Sequence, residues 1–214
     1  LLARGDNGML RAVSALNGRI VVASGGSTAS VGYDGISIFD FVADTASRFS
    51  GSGSNYVNPV SGLAKRNISG YANGTNSTRV IVDRNVNDVA ITILPNAPVD
   101  PATGLSVPTI AVATAGGVSV IKDDGTVANI THGSGAVHVA LDGARGLVAA
   151  TFNVNFSPPD HLNVYALPVS NHDRTENILF SYMGAPFTPP QISKIAIANG
   201  GFPAGFVLSD DHIF

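Results

Sequence analysis

The sequence predicts an all-β chain, and three observations predict it. Helical periodicity is nearly absent, because few windows place apolar residues three and four apart without a Gly or Pro between them. Short β-branched runs recur along the whole chain and end on Gly, Asn or Asp. Charged residues make up only 13% of the 214, against roughly 25% in an average globular domain. Gly, Asn, Ser and Thr fill the places that Lys and Glu usually hold, which is a turn-rich composition.

The expected strands follow in chain order, each a β-branched or alternating run closed by a turn residue. LRAVSALNG (10–18) and RIVVASGG (19–26) meet at Asn17-Gly18, and GISIFDF (35–41) comes next. TRVIVDRN (78–85), NDVAITILPN (87–96), PTIAVAT (108–114) and GVSVIKDDG (117–125) follow. GAVHVALDG (135–143), GLVAATFN (146–153), HLNVYALPV (161–169), NILFSY (177–182), ISKIAIANG (192–200) and GFVLSDDHIF (205–214) complete the set.

These strands repeat. LRAVSALNGRIVVAS at 10–24 aligns with GAVHVALDGARGLVAAT at 135–151: an alternating strand, an Asn/Asp-Gly turn, an Arg, then a strand ending in small residues. NDVAITILPN with PTIAVAT repeats the order, as does ISKIAIANG with GFVLSDD. Regular strand spacing suits a sandwich, a barrel or a propeller, and with first strands starting near residues 10, 87, 136 and 192 one unit fits the roughly 40 to 50 residues of a four-stranded propeller blade while the others carry insertions. The expectation is a single partial β-propeller of degenerate four-stranded blades over residues 1–214, with blades near 8–50, 86–131, 135–183 and 190–214. TASRFS, GTVANIT and NILFSY read as frayed fourth strands. The small second strands VVAS, AVAT and VAAT read as the inner strands near the axis. The chain starts on Leu1 and ends on SDDHIF, and both ends read as cuts in a longer protein.

Three connectors stand out, and loops this long are usually functional. They are the insertion 48–77, the Pro-rich 95–108 and NVNFSPPDH at 153–161. All three are expected to leave one rim, where binding concentrates. The residues that could bind there are Tyr56, Lys65, Arg66, Tyr71 and Asn73 in the first, Asp100 in the second, and Asp160 and His161 in the third.

Several function classes are disfavoured. With a net charge of -3 and Lys and Arg scattered beyond Lys65-Arg66, no basic stripe for nucleic acid is visible. No run reaches the roughly 18 to 20 apolar residues of a membrane helix. The absence of Cys removes thiolate metal sites and disulfides. His132, His138, His161, His172 and His212 form no H-x-H or H-E-x-x-H spacing, so they read as structural rather than metal-ligating. Asp123-Asp124-Gly125 and Asp210-Asp211 are paired carboxylates, but DDG after a strand is first a turn, and D-x-D-x-D-G is missing. Glu176 is the one glutamate, which rules out a two-glutamate glycosidase within the segment. No G-x-S-x-G occurs, and the Gly pairs at 25–26, 116–117 and 200–201 precede strands instead of helices. Arg4-Gly5-Asp6 is too short to carry an adhesion role. Asn67, Asn73, Asn76 and Asn129 head N-x-[ST] sequons, and Asn73-Gly74 reads equally as a turn. No catalytic residue, metal or cofactor is expected.

The string PNAPVDPATGLSVPTIAVATAGGVSVIKDDGTVANIT, with SGYANGT and NVYALPVSNHDRTENIL around it, resembles a family of uncharacterised, propeller-like virion proteins of tailed bacteriophages, mainly marine ones. The likeness runs over residues 85 to 182 and brings no ligand or catalytic residue with it. It implies a non-enzymatic tail fibre or tail component located in the virion, outside the cell, serving assembly or host attachment. Its implied partners are other virion proteins, a host surface glycan or protein, and further copies of itself in a symmetric homo-oligomer. The alternatives are a secreted carbohydrate-active or carbohydrate-binding propeller, and an extracellular scaffold whose sequons carry glycans.

Overall fold

The computed structural model describes residues 9–25, 35–51, 57–58, 80–152, 161–183, 195–197, 206–208 and 212–213. Every regular element among them is a β-strand, and the strands form four sheets. The first sheet is a meander in chain order of β1 (Met9–Leu16), β2 (Arg19–Gly25), β3 (Gly35–Asp40), β4 (Thr45–Phe49) and β5 (Val57–Asn58). The second is a meander of β6 (Val86–Thr92), β7 (Thr109–Thr114), β8 (Gly117–Ile121) and β9 (Val127–Thr131). The third holds β10 (Ala136–Asp142), β11 (Leu147–Phe152) and β12 (His161–Ala166). The chain then lends β13 (His172–Asp173) to the second sheet, parallel to β9, before closing the third with β14 (Ile178–Met183). β15 (Ile195–Ile197), β16 (Phe206–Leu208) and β17 (His212–Ile213) make the fourth. The all-β expectation holds.

The β1–β2 turn shows how sequence sets this geometry. Asn17 and Gly18 sit at φ 49° and 75°, the left-handed pair that a two-residue type I′ turn needs and that matches strand twist. Arg19 Nε then bonds the buried Asp40 carboxylate across the sheet at 2.6 Å.

The three complete meanders repeat in register, including an irregularity. Each first strand carries a bulge at the same place: between Leu10 and Ala12, between Val86 and Asp88, and between Ala136 and His138. A bulge shifts side-chain parity by one residue. Hence the apolar residues on one face of β6 are Val86, Val89 and Ile91, and on β10 Ala136, Val139 and Leu141.

The sheets stack face to face. Val21, Ala23, Ile36 and Phe49 of the first pack against Val86, Val89, Ile110, Val112 and Ile121 of the second. The other face of the second, Ala111, Ala113, Val118, Val120 and Ile130, packs against Val139, Val148, Ala150, Phe152 and Tyr165 of the third. The second sheet is therefore covered on both sides, which is why β7 and β8 are buried along their whole length.

Three expectations need correction. Residues 80–85 form no strand; Val80 makes one isolated parallel bridge to Ser50. Ile81 is buried like a strand residue, but the backbone bonds go elsewhere: Val82 N–H donates to Ser119 Oγ at 2.8 Å, and Asn85 N–H to the Asp83 carboxylate at 2.7 Å. Second, the small-residue second strands are not innermost. The first strands β1, β6, β10 and β15 adjoin one another in series, and the second strands lie inside their sheets, where alanines let the next sheet approach. Third, the long connectors do not share a rim. Segments 26–34 and 153–160 and the insertion after Phe49 are anchored at the end of the stack that holds Gly35, Gly117 and His161. The 95–108 excursion leaves the opposite end, after Thr92 and beside Gly143.

Candidate functional site

The end carrying Gly35, Gly117 and His161 is where the third sheet departs from the repeat. At the start of the third strand, Gly35 and Gly117 adopt φ 116° and 129°. A Cβ on either would fall on the carbonyl oxygen of the adjoining strand, Phe49 or Ile130. The third sheet places His161 there instead, in ordinary extended backbone paired with Phe152 and Met183. Where the second sheet caps its hairpin with Thr114, whose hydroxyl donates to Gly117 O at 3.0 Å, the third has Phe152, fully buried.

Phe152 organises an aromatic ladder along the seam between the second and third sheets. Its ring lies edge-on to His132 at 5.1 Å and to Tyr165 at 6.4 Å, and Tyr165 stands 5.9 Å from His172. Such contacts orient rings through their quadrupoles. Hydrogen bonds fix the ladder's polar atoms. Asn163 Nδ2 donates to the Tyr165 hydroxyl, which donates on to Arg174 O, both at 2.8 Å. Ser181 Oγ donates to Asn163 Oδ1 at 2.7 Å. Burial pushes the Tyr165 phenol up to about 12, so it stays protonated.

The histidines of the ladder are defined by their partners. His132 Nδ1 accepts from Ser134 N–H at 3.2 Å, which puts the proton on Nε2. Burial, with the Arg174 charge nearby, holds its basicity below the ordinary value of 6.5, and His161 is close enough to add to that effect. His172 Nδ1 lies 2.8 Å from Asp173 O; a carbonyl only accepts, so Nδ1 carries the proton there. The ladder thus uses Nδ1 as acceptor on His132 and as donor on His172.

The seam is closed by the 168–177 excursion. Asn129 N–H donates to Asn171 Oδ1 at 2.9 Å, Arg174 N–H to Thr131 O at 2.9 Å, and Lys122 Nζ to Val169 O at 2.9 Å. At the far end of the same seam lies a groove of about 200 Å³ between Leu94, Val120, Leu167 and Pro168. Lys122 and Asp123 also line it, as does Thr109, whose buried hydroxyl has no hydrogen-bond partner among the described residues.

Among the sequence-predicted residues, Asp100 and His161 are described; Tyr56, Lys65, Arg66, Tyr71, Asn73 and Asp160 lie outside the described residues, as do Arg4-Gly5-Asp6, Asp210-Asp211, and Asn67 and Asn76. Asp100 is the organiser of its own turn. Its carboxylate takes Ala102 N–H at 2.9 Å, its carbonyl takes Gly104 N–H at 2.8 Å, and its N–H donates to Leu105 O at 2.9 Å. Asp100 and His161 are at opposite ends of the stack, so they do not form one site. Asp124 is likewise a turn residue: Thr126 bonds it through hydroxyl and N–H at 2.6 and 2.8 Å, which lowers its carboxyl below the usual range. The sequon residue Asn129 is engaged inside the first seam, its Oδ1 accepting from the buried Ser119 hydroxyl at 2.6 Å. Among the described residues no group of three or more His, Asp or Glu side chains is arranged to hold a metal ion.

Sequence reasoning missed Asn87 and Asp88. Asn87 Nδ2 donates to Ala136 O at 2.7 Å, and Asp88 Oδ2 accepts from Val139 N–H at 3.2 Å with His138 Nδ1 3.7 Å away. These two side chains bond backbone groups of β10, the edge strand of the third sheet. The visible signal was a polar pair opening an otherwise apolar strand.

No protein-family model matches the chain, and no curated protein matches it. Among solved structures it is similar to the crystal structure of the computationally designed Ika8 protein, at 10% identity and a TM-score of 0.31, over 89% of this chain and 65% of that one.

Proposed function

We propose that the chain is a β-propeller of degenerate four-stranded blades that serves as a non-enzymatic structural component of a virion, in the tail fibre or tail, for assembly or host attachment. The observation that carries this reading is the repetition. Three meanders share one bulge register, stack face to face and adjoin through their first strands, as blades around an axis do. The polar side chains support a scaffold. Asp100, Asp124 and Asp173 bond turn N–H groups, Asp142 binds Arg145, and the Asn87-Asp88 pair ties one sheet to the next. A scaffold of this kind needs no cofactor, and the resemblance of residues 85 to 182 to phage virion proteins supplies the setting.

The test is mass spectrometry of purified virions with antibody labelling in electron micrographs. The protein is expected in stoichiometric amount at the tail; its absence from intact particles overturns the reading. The carbohydrate-binding alternative is favoured by one observation, the groove lined in part by Lys122 and Asp123. Under that reading a host polysaccharide binds or is cleaved, and Asp123→Asn abolishes the effect.

A further inference from the structure

Resting on the carbohydrate-binding reading of the groove between the second and third sheets, we propose that this groove takes one neutral pyranose ring of a glycan and holds it without cleaving it. Two polar groups carry the proposal. The Thr109 hydroxyl is the one buried side-chain polar atom among the described residues without a hydrogen-bond partner, on a residue that is 2% exposed. Native chains leave few such groups unpaired. Thr109 alternates along β7 with Ala111 and Ala113, which pack against the third sheet, so its side chain points into the same seam and lines the groove there.

Asp123 is the second group. The turn aspartates Asp100, Asp124 and Asp173 each bond N–H groups of their own turns. The half-buried Asp123 carboxylate has no hydrogen-bond or ion partner among the described residues, and it lines the same groove. Lys122, also on the lining, gives one of its three ammonium protons to Val169 O and keeps two donors. A hydroxyl, an acceptor-only carboxylate and a donor-only ammonium thus meet in one cleft, against an aliphatic wall of Leu94, Val120, Leu167 and Pro168.

Each part of that set restricts the ligand. Hydroxyls on neighbouring ring carbons answer both charges, donating to Asp123 and accepting from Lys122, while a third reaches Thr109 and the C–H faces of the ring lie on the aliphatic wall. An acidic sugar would set its own carboxylate beside the unpaired Asp123, and like charges brought together cost several kcal/mol, so the ring is neutral. The groove's volume of about 200 Å³ lies below the roughly 300 to 1,000 Å³ that enclose a drug-sized ligand, which suits one ring and not a run of them. Hydrolysis takes two carboxyl groups roughly 5 to 9.5 Å apart across the bond. Asp123 is the one carboxylate among the described lining residues, so the bound ring stays intact.

The test titrates the whole chain with the methyl glycosides of glucose, galactose, mannose and glucuronic acid, read by amide chemical shifts, and then with a panel of polysaccharides. At least one neutral glycoside is expected to move the amides of Thr109, Lys122 and Asp123, and the glucuronide to bind at least about tenfold more weakly. Asp123→Asn is expected to weaken binding roughly ten- to a hundredfold. Thr109→Val is expected to weaken it about tenfold while the urea midpoint holds or rises, because it removes an unpaired buried hydroxyl; a threonine kept for packing alone would lower the midpoint and leave binding untouched. Asp124→Asn, which removes a charge one residue away and keeps an acceptor for Thr126, is expected to bind like the wild type. The proposal is overturned if no neutral glycoside moves those amides, if the glucuronide binds as tightly, if methanol is released, or if Asp123→Asn or Thr109→Val binds like the wild type. Polysaccharide bound through amides elsewhere removes this groove and keeps the carbohydrate reading, whereas a chain that binds neither polysaccharide nor glycoside loses both.

Discussion

At the start of its third strand the second sheet has Gly117 and the third has His161, and the two positions show what the repeat demands and what it tolerates. Gly117 sits at φ 129° with the Ile130 carbonyl where a Cβ would be. His161 occupies the equivalent register in plain extended backbone. The third sheet relaxed the constraint at the same end where it replaced Thr114 by Phe152, and at the other end of the same strand it has Tyr165 in place of Ile121. A common register was kept while one hairpin exchanged a tight glycine turn for an aromatic ladder.

The comparison breaks most directly at the glycine. Gly117→Ala is expected to destabilise the protein by at least about 3 kcal/mol, combining a backbone region almost reserved for glycine with a clash against main chain. His161→Ala in the sibling sheet is expected to cost less than about 1 kcal/mol, as partly exposed positions usually do. Urea denaturation of both variants checks the pair, and equal losses would show that the two hairpins are built alike after all.

The next effect concerns how each seam satisfies its buried polar groups. In the second sheet Ser119 takes Val82 N–H and gives its proton to Asn129; in the third, Tyr165 takes Asn163 Nδ2 and gives its proton to Arg174 O. Ser119→Ala and Tyr165→Phe each strand a buried partner and are expected to cost about 1 to 3 kcal/mol. Because they act in different seams, the double variant is expected to equal the sum within about 0.5 kcal/mol. Coupling well beyond that would mean that the seams do not act independently.

The same comparison explains what was legible in the sequence. Apolar runs and the turn residues located most strands of the three meanders, because the seams between sheets bury mainly β-branched and small residues between polar turns. The face of each first strand was not legible, because the bulge at Arg11, Asn87 and Val137 breaks the period of two, and spacing such as Val86-Val89-Ile91 fits neither template cleanly. Residues 80–85 read as a strand because Ile81 and Val82 are apolar, yet Val80 O and Val82 N–H bond the side chains of Asn129 and Ser119, far away in sequence, which no local pattern encodes. For the candidate site, His161 was singled out for its long connector, and its real distinction is that it stands where two siblings need glycine. His132, Phe152 and Tyr165 converge through a sheet-to-sheet contact that sequence cannot place.

The smallest expected effect is a pH dependence that belongs to the third sheet's ladder. His132 has its basicity lowered by burial against Phe152, so above its ordinary value of 6.5 both folded and unfolded chains hold it neutral and its contribution is fully present. As pH falls through 6.5 the unfolded chain takes up a proton that the folded chain refuses. Stability therefore declines with falling pH, and the loss levels off once the lower folded value is passed. The turn carboxylates Asp124, Asp142 and Asp173, held below 3.8 by their hydrogen bonds, lose their contribution only in the more acidic range, so the two windows separate. His132→Phe keeps a ring against Phe152 and removes the titration. Urea midpoints measured from pH 8 to pH 5, about one and a half units either side of the free imidazole value, are expected to fall more steeply for the wild type than for the variant. Parallel curves would place the proton elsewhere and leave His132 as packing alone.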